Sequence, residues 1–241
     1  MTACHIVDLG LIGYAEAWSL QKRVVAARKA KAIHDVLLLC EHPHVITLGR
    51  NGKREHLLAS VNVLRQKGVQ FQETDRGGDI TYHGPGQIVA YPILDLGAIR
   101  RDVVWYVRML EETMIRASAA FGILARREAG KTGIWVQTPG ADGEKLAAIG
   151  VRISRWVTSH GFAYNVSTDL RHFDLIVPCG MAERKATSLE KLLERDVDSS
   201  EVVSHLTKHF GEVFGLVMRH TSRNELFEKL ETAEHAVAIP A

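Results

Sequence analysis

Between Arg76 and Gln87 the chain reads RGGDITYHGPGQ: four glycines, a proline, an arginine and a histidine within twelve residues, with strand-like sequence on both sides. Read locally, Gly77 and Gly78 form a turn or bulge before a strand over 79–83, and Gly84, Pro85 and Gly86 a tight turn before a strand over 87–96. A second reading is open. Glycine lets a ligand lie against the backbone, whose N–H groups then act as donors, and Arg76, Tyr82 and His83 flank these glycines with polar groups. Two phosphate-binding loops are excluded: no strand-to-helix crossover carries G-x-G-x-x-G here, and no G-K-[ST] follows in frame.

Working outward, Tyr14 to about Lys31 lacks Gly and Pro, and Ala15, Trp18 and Val25 recur at helical spacing. A buried strand DVLLLCEH follows, bounded by Pro43, then a short strand VITLGR, a short helix over 60–67 stopped by Gly68, and a strand VQFQET. Downstream of the glycine stretch, a long helix runs from an Asp102 N-cap to Phe121, with apolar residues at Val103, Val107, Leu110, Met114 and Ala117. ILARRE, GIWVQ, KLAAIGVRIS and WVTSHGFAYNV read as successive strands, the middle two joined by hairpin chemistry in TPGADGE. Two helices open with capping boxes at Thr187–Glu190 and Asp198–Glu201, and the tail after His220 is expected to hold one more. Strands in adjacent runs, with helices between and after, define an α/β class with a mixed, largely antiparallel sheet flanked by helices, rather than alternating βαβ units.

Bulk composition narrows the function classes. Hydrophobic residues at 46% and charged residues at 24% of 241 supply a sizeable core and argue against disorder. A net charge of +2 is too small to imply nucleic-acid binding. Cys4, Cys40 and Cys179 form no C-x-x-C pair, which argues against a disulfide framework and a structural zinc site and favours the reducing cytoplasm. The N-terminal MTACHIVDLG lacks the pattern of a signal peptide, and the longest apolar run, VLLLC at 36–40, is too short for a membrane span. EHPH brings His42 and His44 close together, but a proline separates them and no further ligand cluster follows, so no metal is expected.

Two more segments carry chemistry. In FDLIVPCGM, Cys179 sits between Pro178 and Gly180, a rigid turn around a thiol. A buried structural cysteine is the commoner fate of such a residue, and a reactive one needs a cationic neighbour that no adjacent residue supplies. In DGEKLAAIGVRIS, Lys145 opens a strand whose next residues are apolar, so its ammonium either meets solvent or points into a cleft. Gly150 in that strand, and Gly161 near Ala163 in SHGFAYNVS, read as bulges or as places where backbone meets ligand.

Together, RGGDITYHGPGQIVAYPILDL, EHPHVITLGR, KLAAIGVRI, HGFAYNVSTDL and IVPCGM resemble the lipoyl(octanoyl) transferases, or octanoyl-[acyl-carrier-protein]–protein N-octanoyltransferases, over about residues 35–190. The resemblance implies the fold of the lipoate and biotin protein ligases. With the reading of the chain's ends, a single catalytic acyltransferase domain is expected over residues 1–220, followed by a C-terminal helix and tail over 221–241. The resemblance implies Cys179 as the acyl-accepting nucleophile and Lys145 as the residue that lowers its pKa and moves protons. It also implies an acyl pocket lined by Arg76, Gly77, Gly78, Asp79, Ile80, Thr81, Tyr82, His83, Ala148, Ile149, Gly150, Gly161, Phe162 and Ala163. The implied partners are octanoyl-acyl carrier protein as donor, and lipoyl domains of 2-oxoacid dehydrogenase subunits and glycine cleavage H protein as acceptors. Neither nucleic acid nor membrane is implied, and no cofactor beyond the phosphopantetheine that carries the donor.

Rivals stay open on the sequence alone. An ATP-dependent lipoate or octanoate ligase on the same fold would not need Cys179, and a non-catalytic acyl-carrier-binding module would never acquire an acyl group on it. A cysteine hydrolase would need a base such as His83 with an Asn or Asp partner, and none is evident. Arg152, Arg155, Arg171, Arg184 and Lys185 form either a basic docking rim or scattered solvated charges.

Overall fold

The computed structural model describes residues 2–137, 143–177 and 185–238. Apolar runs make the central strands. Asp35–Glu41 (β2) and Gln87–Ile93 (β6) are buried almost throughout, as strands covered on both faces must be. They sit inside an eight-stranded sheet of order β11-β1-β2-β6-β10-β9-β8-β7. The other members are Ala3–Leu11 (β1), Ala125–Glu128 (β7), Lys131–Val136 (β8), Glu144–Ser154 (β9), Val157–Asn165 (β10) and Val217–His220 (β11). β1 runs parallel to β2 and β11, and every other pairing is antiparallel. A separate three-stranded sheet orders Gln70–Glu73 (β4), Val45–Leu48 (β3) and Ile80–His83 (β5) as β4-β3-β5.

Helices cover both faces of the large sheet. On one face, Val103–Ala120 (α4) and Ser199–Phe214 (α6) bury Leu110, Met114, Leu206 and Phe210 against Phe162 and Tyr164. On the other, Tyr14–Lys29 (α1) and Arg223–Ala238 (α7) bury Leu20, Val24, Leu226 and Leu230 against Leu38 and Val89. Each such side chain contributes about 1.5–3 kcal/mol by leaving water. Asp102 caps α4 as expected, its carboxylate accepting from Trp105 N at 2.9 Å. Val61–Gln66 (α2), Leu96–Ile99 (α3) and Leu189–Leu193 (α5) are short connectors.

Three local expectations change. β1 and β11 were not anticipated, because CHIVDLGL and VMRH lie outside the strongest patterns. The strands on either side of GPG belong to different sheets, so this turn carries the chain from the small sheet into the large one, with Gly86 at a φ of 77°. The helix near 187 is capped by Ser188, whose hydroxyl accepts from Lys191 N, while Thr187 pairs with Lys145 instead.

Candidate active site

Cross-strand register builds the floor of a cavity. Directly opposed residues of antiparallel strands share a face. Ala148 opposes Ala163, which opposes Val89, and Gly150 opposes Gly161. Ala163 and Val89 belong to the face covered by α1, so a trough of little side-chain bulk crosses β9, β10 and β6 there. The segment 76–81 closes it from above. Gly77 N donates to Val151 O at 2.9 Å, strapping the glycine stretch onto β9. The resulting cavity has a volume of about 430 Å³.

Its two ends differ. Lys145 and Trp135 border one end, and Tyr14, Tyr91 and His160 the other. Val151 opposes His160, so six residues of β9 separate the ends, roughly 20 Å at about 3.3 Å per residue. The Lys145 ammonium lies 4.7 Å from the Trp135 ring centroid, and the Lys131 ammonium is 5.1 Å from the same ring. The Lys145 backbone is held by a parallel bridge: its N–H donates to Lys185 O, and Thr187 N donates to Lys145 O, each at 2.9 Å.

Most of the expected pocket residues converge here. Arg76, Gly77, Gly78, Asp79, Ile80, Thr81, His83, Lys145, Ala148, Ile149, Gly150, Gly161, Phe162 and Ala163 all border the cavity. The side chains of Ile149 and Phe162 nevertheless pack in the core on the α4 side. Tyr82 is placed elsewhere. Its hydroxyl is 2.7 Å from His44 Nδ1, and its ring stacks on His172 at 4.9 Å within the core of the small sheet. Successive strand residues face opposite ways, so Tyr82 and His83 cannot serve one site. Cys179 and Arg184 lie outside the described residues, as does most of the turn expected over 138–144.

The glycines make room chiefly for the protein itself. A Cβ on Gly161 would stand 2.0 Å from Ala90 O, and one on Gly150 would stand 3.0 Å from Gly77 O. Arg76 is a buttress: it donates to Thr47 O at 2.7 Å and to its own neighbour, Gly77 O, at 3.0 Å. Among the described residues, the basic side chains that could form a rim are not gathered in one place. Arg152 pairs with Asp75 and follows the Val151 end, Arg171 pairs with Asp169 at 2.7 Å, and Lys185 borders the cavity beside Lys145.

Two of the polar groups that border the cavity, His83 and Tyr14, are held neutral. Burial, with the His42 ring next in effect, brings His83 down to about 3, and burial pushes Tyr14 up to about 12. His42 and His44 enter separate networks, His42 bonding Ile12 O and Tyr91 Oη at 2.7 Å each, and His44 bonding Tyr82. Among the described residues, no group of three or more His, Cys, Asp or Glu side chains is placed to hold a metal. Sequence reasoning missed Tyr14, Gln87, Tyr91, Val107, Trp135, His160 and Asn165, which also border the cavity.

A large mixed sheet with helices on both faces is the fold shared with lipoate and biotin protein ligases. The bi-partite lipoate protein ligase of Thermoplasma acidophilum superposes with a TM-score of 0.76 at 17% identity, covering 98% of this chain and 92% of that one. The biotin protein ligase of Aquifex aeolicus gives 0.50 at 12%, covering 98% and 77%. At these identities the likeness is one of fold. Sequence similarity goes further. The lipoyl protein ligase A/B catalytic domain matches residues 13–211. The octanoyltransferase of Acidobacterium capsulatum is 49% identical over 95% of this chain and 97% of its own, and that of Caldicellulosiruptor saccharolyticus 47% over 95% and 98%. The chain therefore belongs to the octanoyltransferases of the lipoyl protein ligase A/B family, and it is an acyltransferase.

Proposed function

We propose that the chain moves an octanoyl group from the phosphopantetheine thioester of octanoyl-acyl carrier protein to a lysine of a lipoyl domain, through an acyl-thioester on Cys179. The observation that carries this reading is a narrow apolar slot with a lysine at one end, in a chain about half identical to octanoyltransferases. An acyl chain has no polar handle, so a shaped trough of small residues is what binds it. The backbone bridge to Lys145 supports Cys179 as its partner, since Lys185 follows the segment 178–184 directly in sequence.

In the first step the Cys179 thiolate attacks the donor carbonyl. A new carbon–sulfur bond forms, the old one breaks, and the pantetheine sulfur leaves and takes up a proton. The acceptor amine then attacks the acyl-Cys179 carbonyl. A carbon–nitrogen bond forms, the amine loses a proton, and the Cys179 thiol is released. Amide formation from a thioester is downhill, so neither ATP nor a cofactor beyond the donor's pantetheine arm is needed. The Lys145 cation lowers the thiol pKa from roughly 8.5 and, once deprotonated in a desolvated site, accepts the proton of the incoming amine. Gly77 N–H is already bonded to Val151 O, which leaves other donors for the oxyanion.

The acceptors on this reading are lipoyl domains of 2-oxoacid dehydrogenase subunits and of glycine cleavage H protein. The reaction belongs in the cytoplasm, where thiols stay reduced; no helix among the described residues is long and apolar enough to cross a membrane. The test is to supply a lipoyl domain with either octanoyl-acyl carrier protein alone or octanoate and ATP. Product with the thioester alone supports the transfer, and product only with octanoate and ATP overturns it in favour of a ligase.

A further inference from the structure

A run of buried hydrogen bonds crosses the molecule from the glycine strap to Lys145, and its direction is fixed at each joint. It begins at Arg76, a group that can only donate, whose Nε and Nη2 reach Thr47 Oγ1 at 3.1 and 2.9 Å. That turns the Thr47 hydroxyl hydrogen toward His83 Nε2, 3.4 Å away. His83 is neutral, so with Nε2 accepting, Nδ1 carries the proton and donates to Gln87 Oε1 at 2.7 Å. A second acceptor, Tyr82 O at 3.3 Å, orients the Gln87 amide, and Nε2 also donates to Asn165 Oδ1 at 2.8 Å. Asn165 Nδ2 in turn donates to Thr187 O at 2.9 Å. Thr187 N–H then donates to Lys145 O, and Lys145 N–H to Lys185 O.

His83, Gln87, Asn165 and Thr187 are all buried. From Arg76 to Thr187 O the bonds run in one sense and polarise one another, so losing one joint weakens its neighbours; beyond Thr187 O the link to Lys145 is through the backbone of residue 187 itself. The chain also meets the cavity: His83, Gln87 and Asn165 all border it. Lys145 stands opposite Trp135 of β8, next to a register shift at Leu146, and its own backbone N–H and C=O bond Lys185 O and Thr187 N. The bridge to 185–187 thus helps to fix the Lys145 backbone, and the Asn165 side chain ties this bridge to the end of β10 at Thr187 O.

We propose that Gln87 and Asn165 are positioning residues for acyl transfer, clamping the Lys145–Thr187 bridge to the wall of the slot so that the ammonium sits at the acyl end of the bound chain. The proposal rests on the reading of Lys145 as the activator of Cys179. A merely structural network would cost stability when broken but would leave the chemistry of a folded enzyme alone.

The test compares wild type, Asn165→Asp, Asn165→Ala, Gln87→Met and Lys145→Ala, each shown to be folded by circular dichroism and thermal melting. Asn165→Asp keeps the acceptor for Gln87 but sets a carboxylate oxygen against Thr187 O, so Gln87→Met, which breaks the run one joint earlier and adds no charge, covers the case in which neither Asn165 variant folds. Two readouts are taken: kcat and KM with octanoyl-acyl carrier protein, and the pH dependence of Cys179 alkylation by iodoacetamide. Cys4 and Cys40 are buried and their thiol pKa values are raised by burial, and Cys179→Ser gives the background.

The expected result is a fall in kcat of order 10²-fold, the effect of a misplacement of about 1 Å, with little change in KM. The alkylation midpoint is expected to rise toward that of Lys145→Ala. Folded Asn165 and Gln87 variants with wild-type kcat and midpoint, or with a change in KM alone, would overturn the proposal. A wild-type midpoint in Lys145→Ala itself would bring down the reading beneath it, a different and recognisable failure.

Discussion

The far end of the slot makes acyl length the most informative property to perturb. Tyr14, Tyr91 and His160 close that end, and Tyr14 is 3% exposed, its ring 5.3 Å from His42 and 5.9 Å from His83. Tyr14→Leu removes an aromatic ring from the wall without adding a polar group or touching Lys145. The space freed accommodates about two further methylenes, each worth about 0.8 kcal/mol on burial, or about 1.6 kcal/mol together. The ratio of kcat/KM for decanoyl over octanoyl thioester should therefore rise about 15-fold, while the octanoyl rate itself changes little. The assay is competition between octanoyl- and decanoyl-acyl carrier protein for one lipoyl domain, read by product mass. The variant also loses ring packing and should melt earlier. A folded variant whose ratio stays at the wild-type value would refute the assignment of this end as the stop for the acyl chain.

Other consequences concern the frame around the slot. Tyr82→Phe should leave chain-length preference and KM unchanged, because Tyr82 faces away from the cavity, and should cost only about 0.5–1.5 kcal/mol for the bond to His44; a changed acyl profile would place the ring wrongly. Gly161→Ala drives a Cβ to 2.0 Å from Ala90 O and 2.6 Å from Pro92 Cδ, and should lower stability by about 1–3 kcal/mol in denaturant titration. His83 gives a pH effect of definite sign. It stays neutral in the fold down to about 3, while the unfolded chain takes a proton near 6.5, so its contribution is intact above pH 6.5 and is lost as pH falls. At pH 5 that amounts to about 2 kcal/mol, and His42, His44 and His160, also lowered with burial first among the causes, act in the same sense. Stability that rises between pH 7.5 and 5 would contradict this.

The glycine stretch revealed much of the site because its peculiarities are local. A strap that bonds β9 at Gly77 and turns sharply at Gly86 has to be written in glycine. The α/β class was equally legible, since β2, β6, β9 and β10 carry long apolar runs and α4 a clear helical period with its cap. The misses have physical causes. Tyr82 was grouped with His83 because they are neighbours in sequence, yet a period of two sends them to different faces. β11 takes its place only by pairing with β1 from more than two hundred residues away, and four mostly exposed residues carry little pattern of their own. Tyr14, His160 and Asn165 reach the cavity from α1 and β10, and no local motif records that encounter. Gln87 was read only as the start of a strand; its role depends on Asn165, 78 residues away.

The central claim is a covalent acyl-enzyme, and intact mass measures it directly. Protein incubated with octanoyl-acyl carrier protein should gain one octanoyl unit, lose it on addition of lipoyl domain, and gain nothing as Cys179→Ser. Wild type that octanoylates the lipoyl domain without ever carrying the adduct, or Cys179→Ser that still carries it, would contradict the account.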